Sequence, residues 1–297
     1  MIQQFDKRNE NIKVWIDGTL FHRNEAKISV FDSLSQGGDA VWEGLRIYNG
    51  KVFCMDEHLN RLLESAKSMA FDKIPDISYI KNAIFTTLKV NEMYDDTHVR
   101  LTLTRGEKIT SGMNPKLNQK GCTLIVLAEW KPSIYSGKKL KLVTANIRRN
   151  SPLCLDSKIH HNNLINNILA KIEANNADAD DAIMLDLYGF VAETNATNIF
   201  MIKNNIVYTP YADACLPGIT RSLIIQICKE NNILVFEKNL SLTELYNADQ
   251  VFTTGTMGEL ATVIEIDKRI IKNEGNLLNK LNNLFREKTI KSGTKIS

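Results

Sequence analysis

Tight two-residue turns between short apolar segments constrain the fold of this chain more than any other feature. Asp17-Gly18 and Asn49-Gly50 each lie between two strand-like segments. Such pairs favour the two-residue turns of β-hairpins, because both central positions of the turn adopt positive φ. Further strand pairs are predicted across 187–189 and across Asn204-Asn205. The pattern therefore predicts antiparallel hairpins in both halves of the chain.

Helix signals follow several of these strands. Asp56 is a predicted N-cap in front of an apolar helix face, and Asp76 is predicted to start a second helix. Further helices are predicted over about 162–174, after Thr220, and over about 277–288. Strands that are followed locally by helices, with many hairpins, favour an α+β fold over a parallel doubly wound sheet.

A polar segment divides the chain into two predicted domains. Residues 131–139 contain Pro132 and Gly137 and separate two strand-like runs, which is typical of a linker. We therefore expect a small N-terminal domain over 1–130 and a larger C-terminal domain over 140–297. A chain of 297 residues is long enough for two cores.

Composition excludes several classes of function. The formal net charge of +3 gives no electrostatic case for binding nucleic acid or a membrane surface. No apolar run approaches the length of a membrane span, and the first eight residues lack the apolar core of a signal peptide. The five cysteines are scattered without a Cys-x-x-Cys pair, which is typical of reduced thiols rather than disulfides or a metal site. We expect a cytoplasmic protein without a metal.

Two segments of the C-terminal half fit the chemistry of one cofactor. Lys158 lies in the sequence DSKIHHN, and Glu193 follows 35 positions later in GFVAETNATNIF. A lysine amine can form a Schiff base with an aldehyde cofactor, and a carboxylate beside a pyridine nitrogen keeps the ring protonated and electron-withdrawing. The sequence LPGITR at 216–221 is predicted to open a helix, whose N-terminus is suited to a phosphate. These segments together indicate pyridoxal 5'-phosphate (PLP).

From about Trp15 to about Ile264, the chain resembles the fold-type IV PLP family. This family includes branched-chain aminotransferases, D-amino acid aminotransferases and 4-amino-4-deoxychorismate lyase. The motifs that carry the resemblance occur in the family's order: Trp42-Glu43-Gly44-Leu45-Arg46, the segment around Lys158, ETNATNIF at 193–200, LPGITR at 216–221, and Thr254-Gly255-Thr256. The resemblance implies a small α/β N-terminal domain, a C-terminal pseudo-barrel domain and a homodimer.

The resemblance also implies roles in holding PLP and moving a proton. Lys158 would hold the cofactor and, once released, move the substrate's α-proton, for which burial and the cofactor's positive ring would favour the neutral amine. Glu193 would pair with the ring nitrogen. The phosphate would be held by the backbone N–H groups at the start of the predicted helix, by a hydroxyl and by a compensating positive charge. The residues implied for the phosphate are Ile219, Thr220, Thr256 and Arg46.

The expected substrate class depends on one arginine. The resemblance implies that Arg100 receives the side-chain carboxylate of glutamate, and that the α-carboxylate lies against the backbone N–H groups of Thr256 and Met257. The strand 99–104 that carries Arg100 alternates apolar and polar residues and is predicted to have one solvated face. The implied reaction moves an amino group between an L-amino acid, branched-chain or related, and 2-oxoglutarate.

Three positions depart from the branched-chain pattern and make the predicted pocket more polar and roomier. Gln36-Gly37-Gly38 stands where a tyrosine is expected, Asn162-Asn163 stands where Asn-Tyr is expected, and His98 replaces the tyrosine two positions before Arg100. We include His98 among the substrate-binding residues. The histidine pair that follows Lys158 is interpreted as local hydrogen bonding rather than metal binding.

Other residues of the family motifs are interpreted as structural. His58 and Arg61, on the first long helix, are expected to form helix-to-loop hydrogen bonds, and Asn198 is expected to support the strand that carries it.

Three alternative functions stay open. The first is a lyase of the aminodeoxychorismate type, against which Arg100 and the Thr254–Glu259 segment argue. The second is a D-amino acid aminotransferase, with which Arg105-Gly106 is compatible. The third is a PLP-binding protein without turnover, against which the presence of both Lys158 and Glu193 argues.

Overall fold

The computed structural model describes residues 5–133 and 138–297, which form two compact units. The first unit comprises the described residues up to Pro132 together with Ile159–Asn163 and Thr289–Ser297. The second comprises Leu164–Lys288 and the described part of Ser133–Lys158. Residues 134–137 of the predicted linker lie outside the described residues. The division into an N-terminal and a C-terminal domain near this segment stays a proposal.

The first unit combines an antiparallel sheet with α-helices. Its first strands are β1 (Lys13–Ile16), β2 (Thr19–His22), β3 (Ala40–Tyr48), β4 (Lys51–Val52), β5 (Thr97–Thr104) and β6 (Thr123–Trp130). Its α-helices are α1 (Ser33–Gly37), α2 (Met55–Ser68) and α3 (Ile77–Val90). Short 3-10 helices cover Lys7–Asn11 and Pro115–Leu117.

The second unit contains a mixed sheet with its own helices. Its strands are β7 (Leu140–Thr144), β8 (Asp181–Leu185), β9 (Val191–Thr194), β10 (Asn198–Lys203), β11 (Ile206–Thr209), β12 (Val235–Glu237), β13 (Gln250–Gly255), β14 (Glu259–Ile266) and β15 (Arg269–Ile270). Its helices are α4 (Ile165–Asn176), α5 (Ile219–Glu230), α6 (Leu242–Tyr246) and α7 (Leu277–Lys291), of which α7 ends in the segment assigned to the first unit. The last strand of the chain, β16 (Thr294–Lys295), pairs with β4 of the first unit.

The strand order shows how each sheet is built. The first sheet runs β16-β4-β3-β5-β6-β1-β2 with every pair antiparallel. The second runs β12-β11-β10-β13-β14-β7-β8-β9, with β15 paired to β14 and parallel pairs at β11–β12, β14–β7 and β7–β8. Hairpins and mixed pairing, with helices interspersed, confirm the α+β class.

The predicted hairpins are confirmed. β1 pairs with β2 across Asp17-Gly18, and β3 pairs with β4 across Asn49-Gly50. Both residues of each turn have positive φ, as their type requires. β8 pairs with β9, and β10 pairs with β11 across Asn204-Asn205, which also has positive φ at both positions.

Two helix predictions need correction. α2 begins at Met55 after Cys54, which adopts a left-handed conformation and makes no side-chain cap, so Asp56 lies in the first turn and is not the N-cap. Its carboxylate there interacts favourably with the positive end of the helix dipole. α4 begins at Ile165 rather than near residue 162, because Ile159–Asn163 pairs with the first sheet instead. Asp76 does cap α3, through a hydrogen bond from the Tyr79 N–H.

Burial on the first sheet differs from the expected pattern. Apolar side chains of α2 and α3 cover one face, with Leu45, Leu59 and Leu101 fully buried. The sequence predicts a solvated face for β5, yet seven of its eight residues are buried and Arg100 is half-buried. The face of the sheet away from the helices is therefore enclosed as well, and it carries polar residues that the sequence pattern assigns to solvent.

Within residues 5–133 and 138–297, no helix is both long and apolar enough to cross a membrane.

Candidate cofactor site

A buried ion pair lies at the end of β9 in the second unit. Glu193 Oε1 accepts a hydrogen bond from Arg149 Nε at 2.6 Å, and both side chains are less than one-tenth exposed. Arg149 is held in turn by Asn166 Oδ1 at 3.1 Å. An isolated buried carboxylate is strongly disfavoured, so the guanidinium stabilises Glu193 in its charged form. Sequence analysis missed Arg149, because no local motif marks it.

The second carboxylate oxygen of Glu193 meets the neighbouring strand. A turn between Thr194 and Thr197, closed by a hydrogen bond between their hydroxyls at 2.7 Å, brings the start of β10 beside the end of β9. Asn198 Nδ2 consequently donates to Glu193 Oε2 at 3.2 Å and to the Leu216 carbonyl at 2.9 Å. Asn198 thus joins the carboxylate to the loop that precedes α5.

α5 begins at Ile219, as predicted, with Gly218 as its N-cap and no side-chain cap. The first N–H groups of a helix lack partners within the helix, which makes this end a potential anion site. Gly218 is required by close packing, since a Cβ built there would lie 2.0 Å from Asn198 Oδ1. Thr220, in the first turn, is buried.

The turn after β13 carries two of the predicted residues. Thr256 and Met257 are half-buried between β13 and β14, and Ser133 Oγ donates to the Met257 carbonyl at 3.3 Å. Thr254, at the end of β13, is opposite Asn198 in the β10–β13 register, so their side chains share a face of the sheet. Thr254 Oγ1 is buried, and no group in the described part of the chain forms a hydrogen bond with it.

Lys158 lies in the loop between β7 and α4. Its backbone N–H donates to Asp156 Oδ1 at 3.0 Å, and the preceding Ser157 hydroxyl donates to the Asn150 carbonyl at 2.9 Å. The side chain of Lys158 is exposed, which corrects the expectation that protein burial would favour its neutral form. The loop is therefore ordered by hydrogen bonds around the lysine, while the amine itself stays accessible.

Three other predicted residues cluster on the first unit's sheet, on adjacent strands. The β3–β5 register pairs Arg46 with His98 and Gly44 with Arg100. Gly44 makes room for His98, because a Cβ there would lie 2.9 Å from His98 Nε2. Burial lowers the pKa of His98 to about 3, and nearby positive charges act in the same direction, so the ring is neutral at pH 7. Arg46 Nη1 donates to the Lys131 carbonyl at 2.6 Å, whereas its buried Nε has no hydrogen-bond partner among the described residues.

Arg100 is held in a defined position. Its guanidinium lies 3.5 Å from the centroid of the Trp42 ring, and Nη2 donates to Asn162 Oδ1 at 3.1 Å. Burial lowers the pKa of Arg100 to about 10, which leaves it charged at neutral pH. Asn162, in the segment where the family pattern has a tyrosine, thus orients this arginine.

A buried carboxylate organises the histidines and an arginine of the first unit. Glu43 on β3 is fully buried and accepts hydrogen bonds from His58 Nδ1 at 2.6 Å, Arg61 Nε at 2.7 Å and His160 Nδ1 at 3.1 Å. His58 and Arg61 therefore link a helix to a strand, rather than to a loop as expected. The His160 ring also packs against Trp42 at a tilt of 39°, with 4.1 Å between ring centroids. The local hydrogen bonding expected of the histidine pair is present for His160.

Electrostatics of this cluster follow from burial. Burial alone would raise the pKa of Glu43, but His160, Arg61 and His58 together hold it well below its ordinary value of 4.5. Burial lowers the pKa of His160 to about 4, against the attraction of Glu43. Since His160 is then neutral at pH 7, we assign the stabilising positive charge to Arg61. No group of side chains suited to a metal ion occurs in the described ranges.

Replacing Glu43 should destabilise the first unit. Glu43→Gln removes the charge that Arg61 faces and should lower the free energy of unfolding by about 3 kcal/mol or more at pH 7. The folded pKa of Glu43 is depressed, so its contribution is complete above about 4.5, the unfolded value, and is lost as the pH falls further. Chemical denaturation at pH 7 and pH 4 tests this: the gap between wild type and variant should narrow at pH 4. The exposed Glu10→Gln is the control, and an equal effect of both variants would contradict the assignment.

The donors and acceptors of the second unit fit PLP in kind. A buried carboxylate suits the ring nitrogen, and an uncapped helix N-terminus suits a phosphate. The close approach of Gly218 to Asn198 leaves no space for a side chain at that helix end. Of the predicted site residues, the second unit contains Lys158, Glu193, Ile219, Thr220, Thr256 and Met257, and the first contains Arg46, His98 and Arg100.

Comparison with known proteins agrees with these features. A model of the family described as amino-transferase class IV matches residues 40–266. The chain is 57% identical over 291 residues to branched-chain-amino-acid aminotransferase-like protein 2 of Arabidopsis thaliana, covering 97% of this chain but 52% of the plant protein. It therefore spans about half the length of that relative. It is 37% identical over 288 residues to a putative branched-chain-amino-acid aminotransferase of Methanocaldococcus jannaschii, covering 96% of this chain and 99% of that protein.

A solved structure extends the similarity to the whole fold. The branched-chain aminotransferase of the thermophilic archaeon Thermoproteus uzoniensis, solved with norvaline, matches with a TM-score of 0.86 and 29% sequence identity, covering 95% of this chain and 96% of that one. This match confirms the predicted fold-type IV arrangement with a C-terminal pseudo-barrel. A second branched-chain amino acid aminotransferase, complexed with N-(5'-phosphopyridoxyl)-L-glutamate, matches with a TM-score of 0.87 and 29% identity over the same shares of both chains. The ordered motifs, the fold and the family match lead to one conclusion: the chain belongs to the class IV aminotransferase family.

Proposed function

We propose that this protein is a PLP-dependent aminotransferase that moves an amino group between an L-amino acid, branched-chain or related, and 2-oxoglutarate. The observation that carries the proposal is the buried Arg149–Glu193 pair, which Asn198 joins to the N-terminal loop of α5. This arrangement offers a negative charge for a ring nitrogen and, along the same network, the N–H groups of a helix N-terminus for a phosphate. We also propose that the chain divides near residue 133 into an N-terminal and a C-terminal domain.

Residues of the second unit would bind the cofactor at its two ends. Bound PLP supplies an electron-withdrawing ring that makes the substrate's α-proton easier to remove. Glu193 would hold a proton on the ring nitrogen, with Arg149 keeping the carboxylate ionised. The N–H groups of Ile219 and Thr220 and the hydroxyl of Thr256 would bind the phosphate, and the backbone of Thr256 and Met257 would bind the substrate α-carboxylate.

Lys158 would perform the proton transfer. Its accessible amine would hold the cofactor through the aldehyde group, with release of water, and would serve as the acceptor of the substrate's α-proton. The Lys158 N–H donates to Asp156 Oδ1, and the Ser157 hydroxyl donates to the Asn150 carbonyl. These two hydrogen bonds fix the backbone from which the lysine side chain extends. The exposed side chain leaves the amine accessible to a bound cofactor.

Three further residues, Arg46, His98 and Arg100, are proposed to supply charge and substrate selectivity. Arg46 is proposed as the compensating cation for the phosphate, and its unpartnered Nε is available for that role within the described structure. Arg100 is charged and oriented, so it is suited to the second carboxylate of glutamate. His98 is neutral at pH 7, so it would line the substrate pocket as a polar, uncharged side chain rather than as a further cation.

One sequence feature compatible with a D-amino acid aminotransferase has a structural explanation. Arg105 pairs with Asp39 through Nε at 2.6 Å and donates to the carbonyl oxygens of Met69 and Ala70. A Cβ at Gly106 would lie 1.8 Å from the Gly121 carbonyl, so packing alone requires glycine. Arg105-Gly106 therefore gives no preference for D-amino acids, and the L-amino acid proposal keeps the support of Arg100.

The experiment that tests the function is a panel of donors and acceptors. L-glutamate, branched-chain L-amino acids and D-alanine are each mixed with the PLP-loaded protein, and loss of the visible absorbance is followed. Conversion by L-glutamate and restoration by a branched-chain 2-oxo acid support the proposal. Conversion by D-alanine alone would replace it with the D-amino acid alternative. Release of pyruvate from aminodeoxychorismate would indicate the lyase, and a spectrum that no donor changes would indicate a binding protein.

We further propose a homodimer in the cytoplasm. The family resemblance supports the dimer, and the five cysteines, which form no disulfide within the described residues, suit a reducing compartment. Sedimentation of the purified protein tests the assembly.

Arg100→Ala should slow the glutamate half-reaction far more than the leucine half-reaction. Only glutamate brings a second carboxylate, and leaving it unpaired in a buried pocket should cost about 3 kcal/mol, or roughly 100-fold in rate. Single-turnover absorbance changes with each donor measure the two rates. Arg105→Ala is the matched control, because Arg105 also packs over an aromatic ring, at 4.5 Å from Phe71. Equal slowing of both half-reactions in Arg100→Ala would make Arg100 structural.

A further inference from the structure

Asn198 occupies the junction between the two ends of the proposed cofactor site. It is the first residue of β10 and is buried, with 6% of its surface exposed. The side-chain amide has two N–H donors, and both are used: one meets Glu193 Oε2 at 3.2 Å and the other meets the Leu216 carbonyl at 2.9 Å. One planar group therefore contacts both the ring-nitrogen carboxylate and the loop that leads into α5.

The loop and the carboxylate are also connected in the opposite direction. The Leu216 N–H points to Glu193 Oε1 at 3.5 Å, a long contact, while the Leu216 carbonyl accepts from Asn198. Glu193, Asn198 and Leu216 thus form a cyclic hydrogen-bond network, in which each residue contacts the other two. A shift of the loop would disturb both oxygens of the carboxylate, and a rotation of the carboxylate would disturb the loop.

The acceptor end of Asn198 is packed against the helix N-cap. A Cβ at Gly218 would lie 2.0 Å from Asn198 Oδ1 and 3.2 Å from its Cγ. The amide of Asn198 and the backbone of Gly218 therefore lie in direct contact. This contact fixes the position of the α5 N-terminus relative to β10.

We propose that Asn198 is a positioning residue that couples the ring end of the PLP site to its phosphate end. This inference rests on the proposed function and assigns a role to a residue that the sequence suggested was only structural. Asn198 orients the Glu193 carboxylate towards the ring nitrogen and sets the Leu216–Gly218 backbone at the phosphate. Binding of the ring at Glu193 thus positions the backbone that binds the phosphate, and binding of the phosphate positions Glu193.

The chemistry of the site requires asparagine at this position. Aspartate has the same shape but, when ionised, has no N–H to donate, and it would bring a second negative charge to 3.2 Å from Glu193 Oε2. Serine is too short to reach both partners with one hydroxyl, which has a single donor. Only a planar amide of this length supplies two donors towards Glu193 and Leu216.

Binding to each end of the site tests the coupling without reference to activity. The PLP-free protein is titrated with pyridoxal, which lacks the phosphate, and separately with inorganic phosphate. Asn198→Ala should weaken the affinity for pyridoxal and the affinity for phosphate by about tenfold each. Asn198→Ser should have the same effect, and it serves as the test if the alanine variant folds poorly. Gly218→Ala should reproduce the effect by pushing the Asn198 amide aside. The absorbance of bound PLP should also shift, because Glu193 is then less well aimed at the ring nitrogen.

Asn91→Ala is the matched control for stability. Asn91 is also a hydrogen-bonded asparagine, with three hydrogen bonds to backbone groups of Lys13 and Thr87, but it lies in the first unit. It should lower thermal stability and leave both ligand affinities unchanged. If Asn198→Ala and Asn198→Ser weaken neither ligand, or only one end, the coupling is overturned while PLP binding by the wild type still supports the proposed function. If the wild type itself binds no PLP, the proposed function and this inference both fail.

Discussion

Lys158→Ala should abolish transamination while leaving PLP binding through the phosphate partly intact. The amine is the proposed base for the α-proton, and removing a positioned base should lower the rate by about 10³-fold or more. Binding should persist because the phosphate contacts proposed for α5 and Thr256 do not involve the lysine. Single-turnover kinetics measure the first effect, and titration of the PLP-free variant measures the second.

The exposed position of Lys158 makes this variant easy to interpret. Its side chain is not part of a packed core, so alanine should change thermal stability little. Lys272→Ala, another exposed lysine of the second unit, is the control and should keep the wild-type rate. Partial recovery of Lys158→Ala by a small primary amine in solution would support proton transfer as the missing function. Turnover near the wild-type rate would remove Lys158 from the mechanism.

Glu193→Gln should preserve the fold of the second unit but lose most of the rate. A neutral amide no longer favours a protonated ring nitrogen, and loss of one preorganised charge partner typically costs about 3 kcal/mol, or roughly 100-fold in rate. The variant also leaves Arg149 buried without its counter-charge, which should reduce stability by about 3 kcal/mol or more. Stopped-flow rates and chemical denaturation measure these effects separately.

A double substitution distinguishes the catalytic from the structural effect. In Glu193→Gln with Arg149→Met, the unpaired guanidinium is gone, so stability should recover, whereas the rate should stay low. Recovery of the rate together with stability would mean that Glu193 acts by packing alone. A Glu193→Gln rate within about threefold of wild type would show that another group serves the ring nitrogen.

Sequence reasoning predicted the local geometry well where neighbouring residues decide it. The turns at Asp17-Gly18 and Asn49-Gly50 require positive φ, and the structure has it at all four residues. The capping of α3 by Asp76 and the start of α5 after Gly218 depend on a few adjacent residues as well. Asp56 failed as an N-cap because Cys54 takes a left-handed conformation that begins the helix earlier, a detail of the strand-to-helix connection.

The solvated face predicted for β5 was wrong for a different reason. Alternation of polar and apolar residues usually separates a wet face from a packed one, but here both faces are covered. His98 is consequently buried and Arg100 half-buried, and burial lowers the pKa of each. Polar residues on an enclosed face of a sheet alternate with apolar residues in the same way as polar residues on a solvated face, so the sequence pattern does not distinguish them.

The sequence by itself determined the family and the hairpins, and it led to the proposal of the residues suited to PLP, because motifs and turn chemistry are properties of short segments. Only the tertiary structure decided which partners the buried carboxylates meet. Arg149 and Glu193 are 44 positions apart, and His160 and Glu43 are 117 positions apart. No local pattern records such pairs, since each forms only when separate strands and loops pack together. Burial then makes each pair obligatory, because a charge removed from water requires a partner at hydrogen-bond distance.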